Sequence, residues 1–171
     1  MQLENLRIRQ AGVDDISALY TLSEAMGHVQ EVGFFERSLG NQDAGERLVF
    51  IAELDGRGVG YVMLSWCPKY GFYKSIGCPE IQALNVLPDF RKRGIASAMI
   101  KHCEELARAR GMDDIGISVG LTPFYGAAQR LYFKLGYMPD GYGVTYDRKA
   151  VVHGEFRPVD DDLCLMLIKK L

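Results

Sequence analysis

One stretch, Val86 to Ser97 (V-L-P-D-F-R-K-R-G-I-A-S), restricts what this chain can fold into. Upstream, Glu80 to Val86 mixes β-branched and apolar residues over a strand-sized length, and Pro88 and Asp89 break it. Downstream, Ile95, Met99, Cys103 and Leu106 recur at helical spacing while Lys101, Glu104, Glu105 and Arg108 point away. Arg91 to Ala96 therefore sits at a helix N-terminus. The first amides of a helix lack internal partners and carry the positive end of its dipole, so an anion there gains hydrogen bonds and field together. Gly94 removes the Cβ that would hold a phosphate away, Ala96 keeps the next turn small, and Arg91, Lys92 and Arg93 add charge. The stretch reads as a pyrophosphate cradle, against the plainer alternative of a solvated basic turn.

A strand ending in Val and followed by Arg-x-x-Gly-x-Ala resembles the signature of the GNAT superfamily of acyl-CoA N-acyltransferases. A second stretch strengthens the likeness: Ala128 to Tyr137 (A-Q-R-L-Y-F-K-L-G-Y) resembles the family's other signature. The family's commonest form carries Asn three residues before that Ala. Tyr125 stands there instead, so that side-chain hydrogen bond to the cofactor is not implied, although the position stays among the cofactor contacts.

The resemblance implies an α/β (α+β) GNAT fold: a mixed central sheet of about six or seven strands with helices on both faces, formed by residues 1–171 as a single domain. It implies an acetyl-CoA-dependent N-acetyltransferase, with acetyl-CoA as co-substrate, no metal, and a small-molecule or peptide amine as acceptor. Leu84, Val86, Arg91, Lys92, Arg93, Gly94, Ile95, Ala96, Ser97, Tyr125 and Tyr132 would line the cofactor. Pantetheine would pair with β-strand backbone at Leu84 and Val86, and the Leu84 N–H would polarise the thioester carbonyl. Tyr132 stands where the family keeps its general acid. Glu80, eleven residues before Arg91, stands where the histone-type enzymes keep a general base; a Glu opening a strand otherwise reads as a solvated end. The competing classes are a non-catalytic acyl-CoA-binding or sensing module and an unrelated phosphate-ligand α/β protein. Homodimers are common in the family.

Composition agrees with this reading. The chain has 171 residues, 48% of them hydrophobic, enough for one sizeable core. A formal charge of -2 provides no global field for nucleic acid. No apolar run approaches the roughly 20 residues that span a bilayer, and the acid-bearing N-terminus lacks a signal peptide's apolar centre, so cytoplasm is the expected location. Cys67, Cys78, Cys103 and Cys164 are scattered, which favours reduced thiols.

The remaining elements follow from local patterns. Leu6 to Arg9 reads as a strand, with Asp14 or Asp15 capping a helix through Met26 that Gly27 closes. His28 to Gly45 suits a short helix or a mobile flap, with Glu31 and Glu36 as candidate acidic lining. Leu48 to Leu54 and Val59 to Trp66 form a hairpin around Asp55-Gly56-Arg57-Gly58. Its glycines lie between strands, which excludes a dinucleotide loop. Cys67 to Pro79 reads as a loop whose Tyr70, Phe72 and Tyr73 either pin it to the core or contact the acceptor. Ile115 to Val119 is a strand, Phe124 to Leu135 a helix, Tyr137 to Tyr146 strand-like, and Leu163 to Ile168 a closing strand. Asp160-Asp161-Asp162 reads as a solvated turn, because three successive carboxylates converge poorly on one cation.

Overall fold

The computed structural model describes residues 4–171. The chain divides into two compact units, one of Met1–Trp66 with Ile81–Glu105 and one of Cys67–Glu80 with Leu106–Leu171.

The first unit holds β1 (Leu6–Gln10), α1 (Ile16–Ala25), α2 (Phe34–Asp43), β2 (Arg47–Leu54) and β3 (Arg57–Ser65). Most of β4 (Glu80–Val86) belongs to it, as does helix α4 (Ile95–Ala109) as far as Glu105. The strand order is β1-β2-β3-β4, with β2 antiparallel to both β1 and β3. Leu54 faces Arg57 in register, so the hairpin turns on Asp55 and Gly56 alone, both left-handed at φ 52° and 77°. Alternate residues Val49 and Ile51 of β2 and Tyr61 and Met63 of β3 form one buried face, packed with Leu19 and Leu22 of α1 and Phe35 of α2. Gly60 permits a close strand approach: a Cβ there would lie 2.5 Å from the Asn85 carbonyl oxygen.

One local expectation changes. Asp15 precedes α1, yet its carboxylate makes no cap bond; it accepts the Gly12 N–H at 2.8 Å and both terminal nitrogens of Arg9. Within His28 to Gly45 the short-helix alternative holds: α2 covers Phe34–Asp43, entered through a left-handed Gly33 whose N–H donates to the Tyr20 hydroxyl.

The second unit holds α3 (Gly71–Ile76), β5 (Asp114–Gly120), α5 (Gly126–Lys134), β6 (Met138–Tyr146), β7 (Lys149–Ala150) and β8 (Leu163–Lys170), with strand order β5-β8-β6-β7, antiparallel throughout. The six-residue α3 falls inside the expected loop, closed by Gly77 in the left-handed region. Its aromatics pin it: Tyr73 is fully buried and donates to the Leu167 carbonyl, Tyr70 donates to Asp140 at 2.7 Å, and Phe72 packs on the Tyr142 ring. The acidic turn is held by aromatic hydroxyls, Tyr125 donating to Asp161 and Tyr146 to Asp160, each at 2.8 Å. Among the described residues no helix is long and apolar enough to cross a membrane.

Candidate active site

In the first unit, β4, a single 3₁₀ turn (Pro88–Phe90) and α4 place the cradle residues in sequence. Pro88 cannot continue the strand, and the Phe90 and Arg91 amides close the turn on the carbonyls of Leu87 and Pro88. Lys92 and Gly94 then adopt left-handed backbone, φ 60° and 88°. The Ala98 amide bonds the Gly94 carbonyl at 3.0 Å, so Ile95, Ala96 and Ser97 supply the orphan first-turn amides of a fifteen-residue helix. Ile95 itself is buried and anchors the turn. A glycine in the left-handed region next to outward amides fits a pyrophosphate.

The three cations differ in their engagements. Arg91 Nε donates to the Val86 carbonyl at 3.1 Å, tying the loop to the end of β4. Arg93 donates to the Asp89 carbonyl and lies over the Phe90 ring, with Arg57 also within cation–π range of that ring. Both keep their charge near the cradle while spending donors on the loop itself. Lys92 is exposed.

Three residues before Val86, Ala83 has φ 49°. A non-glycine residue in this region costs about 1–2 kcal/mol. Here its carbonyl accepts the Asn85 side-chain amide at 3.2 Å. Left-handed residues inside strands mark bulges, which re-aim backbone groups. Leu84, the candidate thioester-polarising amide, follows directly. The resemblance implies Leu84 without this irregularity, since nothing in Q-A-L-N marks a bulge. Beside it, Gln82 accepts Arg47 Nη2 at 2.9 Å.

In the second unit, Glu80 is fully enclosed, 0% exposed, which overturns the reading of a solvated strand end. Its Oε1 accepts Arg148 Nη2 at 3.1 Å, and the same nitrogen lies 3.3 Å from Ser118 Oγ. Arg148 was missed in the sequence. Asp147 and Arg148 are the central residues of the two-residue turn joining β6 to β7, with Tyr146 facing Lys149, and both are left-handed at φ 47° and 59°. Turns of this kind ordinarily take Asn-Gly. An Asp-Arg pair gives no such signal.

Tyr132 is 6% exposed, and its hydroxyl makes no hydrogen bond among the described residues. Burial alone holds its ionisation well above the usual tyrosine range, so it is a retained proton. Tyr125 differs. Its ring covers Gly120, where a Cβ would meet it at 2.3 Å, and its hydroxyl is committed to Asp161. Burial first and Asp161 second raise its ionisation. Tyr125 therefore serves the fold of its unit through both its ring and its hydroxyl.

Other candidates resolve as structural. His102 packs edge-on against Phe50, and burial lowers its proton affinity. Burial pushes the Cys78 and Cys103 thiols up to about 12, away from nucleophilic use, and all four cysteines are free. Glu31 pairs with Arg37, and Glu36 accepts the Tyr20 hydroxyl. Neither carboxylate is a bare acidic lining.

Residues 13–137 match the model of the acetyltransferase (GNAT) family, a span that takes in both the cradle and Tyr132. The chain belongs to that family. An uncharacterized N-acetyltransferase of Chlorobaculum tepidum is 28% identical over 127 residues, 74% of each protein. Among solved structures, the ribosomal-protein-alanine N-acetyltransferase of Brucella melitensis shares a TM-score of 0.71 at 18% identity, covering 96% of this chain and 99% of that one. A GNAT family acetyltransferase of Elizabethkingia anophelis with acetyl-CoA bound gives 0.68 at 14% identity, covering 98% and 99%. The fold is thus the GNAT fold, a mixed open sheet with helices. Among the described residues it has eight strands where about six or seven were expected, the two-residue β7 among them.

Proposed function

We propose that this GNAT protein transfers the acetyl group of acetyl-CoA to a primary amine by direct attack. Acetyl-CoA would supply an activated thioester to a neutral amine, and among the described residues burial holds the Cys78 and Cys103 thiols away from nucleophilic use. The observation that carries the reading is the left-handed Gly94 opening onto the amides of Ile95, Ala96 and Ser97. These amides, with Lys92 and the charges of Arg91 and Arg93, would hold the pyrophosphate, and Leu84 and Val86 would pair with the pantetheine arm.

The chain's own groups would then divide the proton work. The Leu84 N–H, following the irregularity at Ala83, would donate to the thioester carbonyl, a contribution of about 3 kcal/mol to the barrier where such a donor is preorganised. The acceptor amine has an ordinary pKa of about 10.4 for an alkylamine and about 8 for an α-amino group, so it must shed a proton. Glu80 is enclosed and ion-paired, so a proton would reach it through water or after the Arg148 contact loosens. Tyr132, with its hydroxyl proton retained and uncommitted, would donate to the departing thiolate. That uncommitted hydroxyl favours an enzyme over a module that only binds acyl-CoA.

Calorimetric titration with acetyl-CoA, CoA, ATP and NAD tests the cradle. Micromolar acetyl-CoA binding is expected, lost in Gly94→Asp, whose carboxylate would face the pyrophosphate. A preference for ATP, or unchanged affinity in a folded Gly94→Asp protein, would overturn it. Thiol release with a panel of amines then tests transfer.

A further inference from the structure

We infer that Arg148 is a specificity residue for the acceptor: it reads a carbonyl or carboxylate oxygen beside the amino group, so the preferred substrates are α-aminoacyl compounds rather than plain alkylamines. The inference rests on the acetyltransferase reading above and names the substrate class of that same reaction.

A guanidinium carries five N–H donors and no acceptor. In Arg148, Nη2 is engaged by Glu80 Oε1 at 3.1 Å and Ser118 Oγ at 3.3 Å. The donors on Nε and Nη1 have no partner among the described residues, and the side chain keeps 24% of its surface exposed. Nη2 is therefore held by a fully buried carboxylate, and Nε and Nη1 keep donors to offer on a part-exposed side chain. The clamp holds the Nη2 end of the guanidinium, so an incoming oxygen meets a cation already tethered beside the buried carboxylate.

The turn supports the same assignment. Arg148 occupies a left-handed position between paired Tyr146 and Lys149, where glycine is the unstrained choice. The Asp147 amide bonds the Asp162 carbonyl at 3.1 Å, which secures the turn from the far side. The chain thus holds a long cation at a costly backbone position and steadies it from two directions.

The partner follows from charge and spacing. Glu80 already neutralises the guanidinium, so the outward donors do not require a full negative charge; a carbonyl oxygen suffices, and a carboxylate is accepted as well. In an α-aminoacyl group, that oxygen lies two carbons from the amine nitrogen. Glu80 is enclosed, so the amine passes its proton to it through water while Arg148 stays clamped, and the oxygen two carbons away is then offered to the part-exposed guanidinium rather than to the carboxylate. A plain alkylamine offers nothing to those donors. Sites built to hydrogen-bond one group discriminate against the analogue lacking it, here by about ten- to a hundredfold.

The test compares kcat/KM, per neutral amine, for alaninamide, alanine and isopropylamine in the wild type, Arg148→Met and Arg148→Lys. Wild type is expected to favour alaninamide or alanine over isopropylamine by at least about tenfold. Preference for alaninamide identifies peptide N-termini as the source, and preference for alanine identifies free amino acids. Both variants should lose most of this ratio with unchanged acetyl-CoA affinity. Arg148→Met leaves Glu80 buried without its cation and can fail to fold. Arg148→Lys keeps a cation beside Glu80, spends its ammonium there, and decides the matter. A wild type without the preference, or an Arg148→Lys protein that retains it, overturns the assignment while leaving acetyl transfer intact. Absence of acetyl-CoA binding, measured without any acceptor, overturns the underlying reading instead.

Discussion

Tyr132 and Tyr125 sit seven residues apart around the same short helix, and their hydroxyls have opposite fates. Tyr125 donates to Asp161, while Tyr132 is almost enclosed and donates to nothing among the described residues. If Tyr132 supplies the proton to the leaving thiolate, Tyr132→Phe should lower kcat about 100-fold and change acetyl-CoA affinity by less than about threefold. Steady-state kinetics beside calorimetry separates the two; equal losses in both would reduce Tyr132 to a packing residue. Asp15 makes a different prediction. Hydrogen bonds from Arg9 first, and the Gly12 amide, hold its carboxyl below the usual carboxylate range despite partial burial. A depressed folded-state pKa contributes stability above the unfolded value of about 3.9, lost as pH falls through the folded value. Asp15→Asn should therefore be less stable than wild type in urea at pH 7, and the difference should shrink steadily below pH 4. A gap that persists at pH 2 would assign the loss to packing. At this scale the sequence is legible where the pattern is local: Gly94 at the start of α4 follows from a strand stop before an apolar helical repeat, whereas the place of Tyr132 is what the resemblance implies. Arg148 is not legible, because its partners Glu80 and Ser118 lie 68 and 30 residues away.

At the scale of elements, periodic segments were readable and irregular ones were not. β4 occupies Glu80–Val86 as its residue pattern suggests, and α4 begins at Ile95, since both carry strong apolar periodicity and hard stops. Helix α3 was hidden: six residues with Gly at the start carry little propensity, and tertiary anchoring by Tyr70 and Tyr73 supplies the stability instead. The break at Ala83 was equally silent, because a left-handed residue inside a strand is set by its surroundings, here including the Asn85 side chain. The hairpin glycines also acquire a reason. Gly56 takes a left-handed turn, whereas Gly60 gives β3 its close approach to Asn85 and Val86. Gly60→Ala would set a methyl 2.5 Å from a backbone oxygen, with Met99 at 3.3 Å. It should cost about 1–3 kcal/mol in chemical denaturation. Because the displaced backbone borders Leu84, it should also lower kcat; a stable Gly60→Ala protein with full activity would show that β4 yields without consequence.

For the molecule as a whole, the division into two compact units raises the question of how they melt. Their boundaries fall inside secondary structure: Glu80 and Ile81 are neighbours in β4, and Glu105 and Leu106 are neighbours in α4. Unfolding one unit alone would require ending a strand and a helix in mid-element, leaving backbone groups without ladder or helical partners. One cooperative transition is therefore expected in differential scanning calorimetry, with calorimetric and van't Hoff enthalpies equal. Ligand linkage sharpens the test. Acetyl-CoA at 100 times its Kd should stabilise the folded chain by about 2.7 kcal/mol, and for a chain of this size raise the whole transition by roughly 5–10 °C. Gly94→Asp should melt as a single transition that acetyl-CoA does not move. Two transitions, of which acetyl-CoA shifts only one, would mean that the cradle's unit folds independently, and that binding there leaves the stability of Tyr132 and Glu80 untouched. A single shifted transition would mean instead that filling the cradle also stabilises the part of the chain that carries the proposed acid and base.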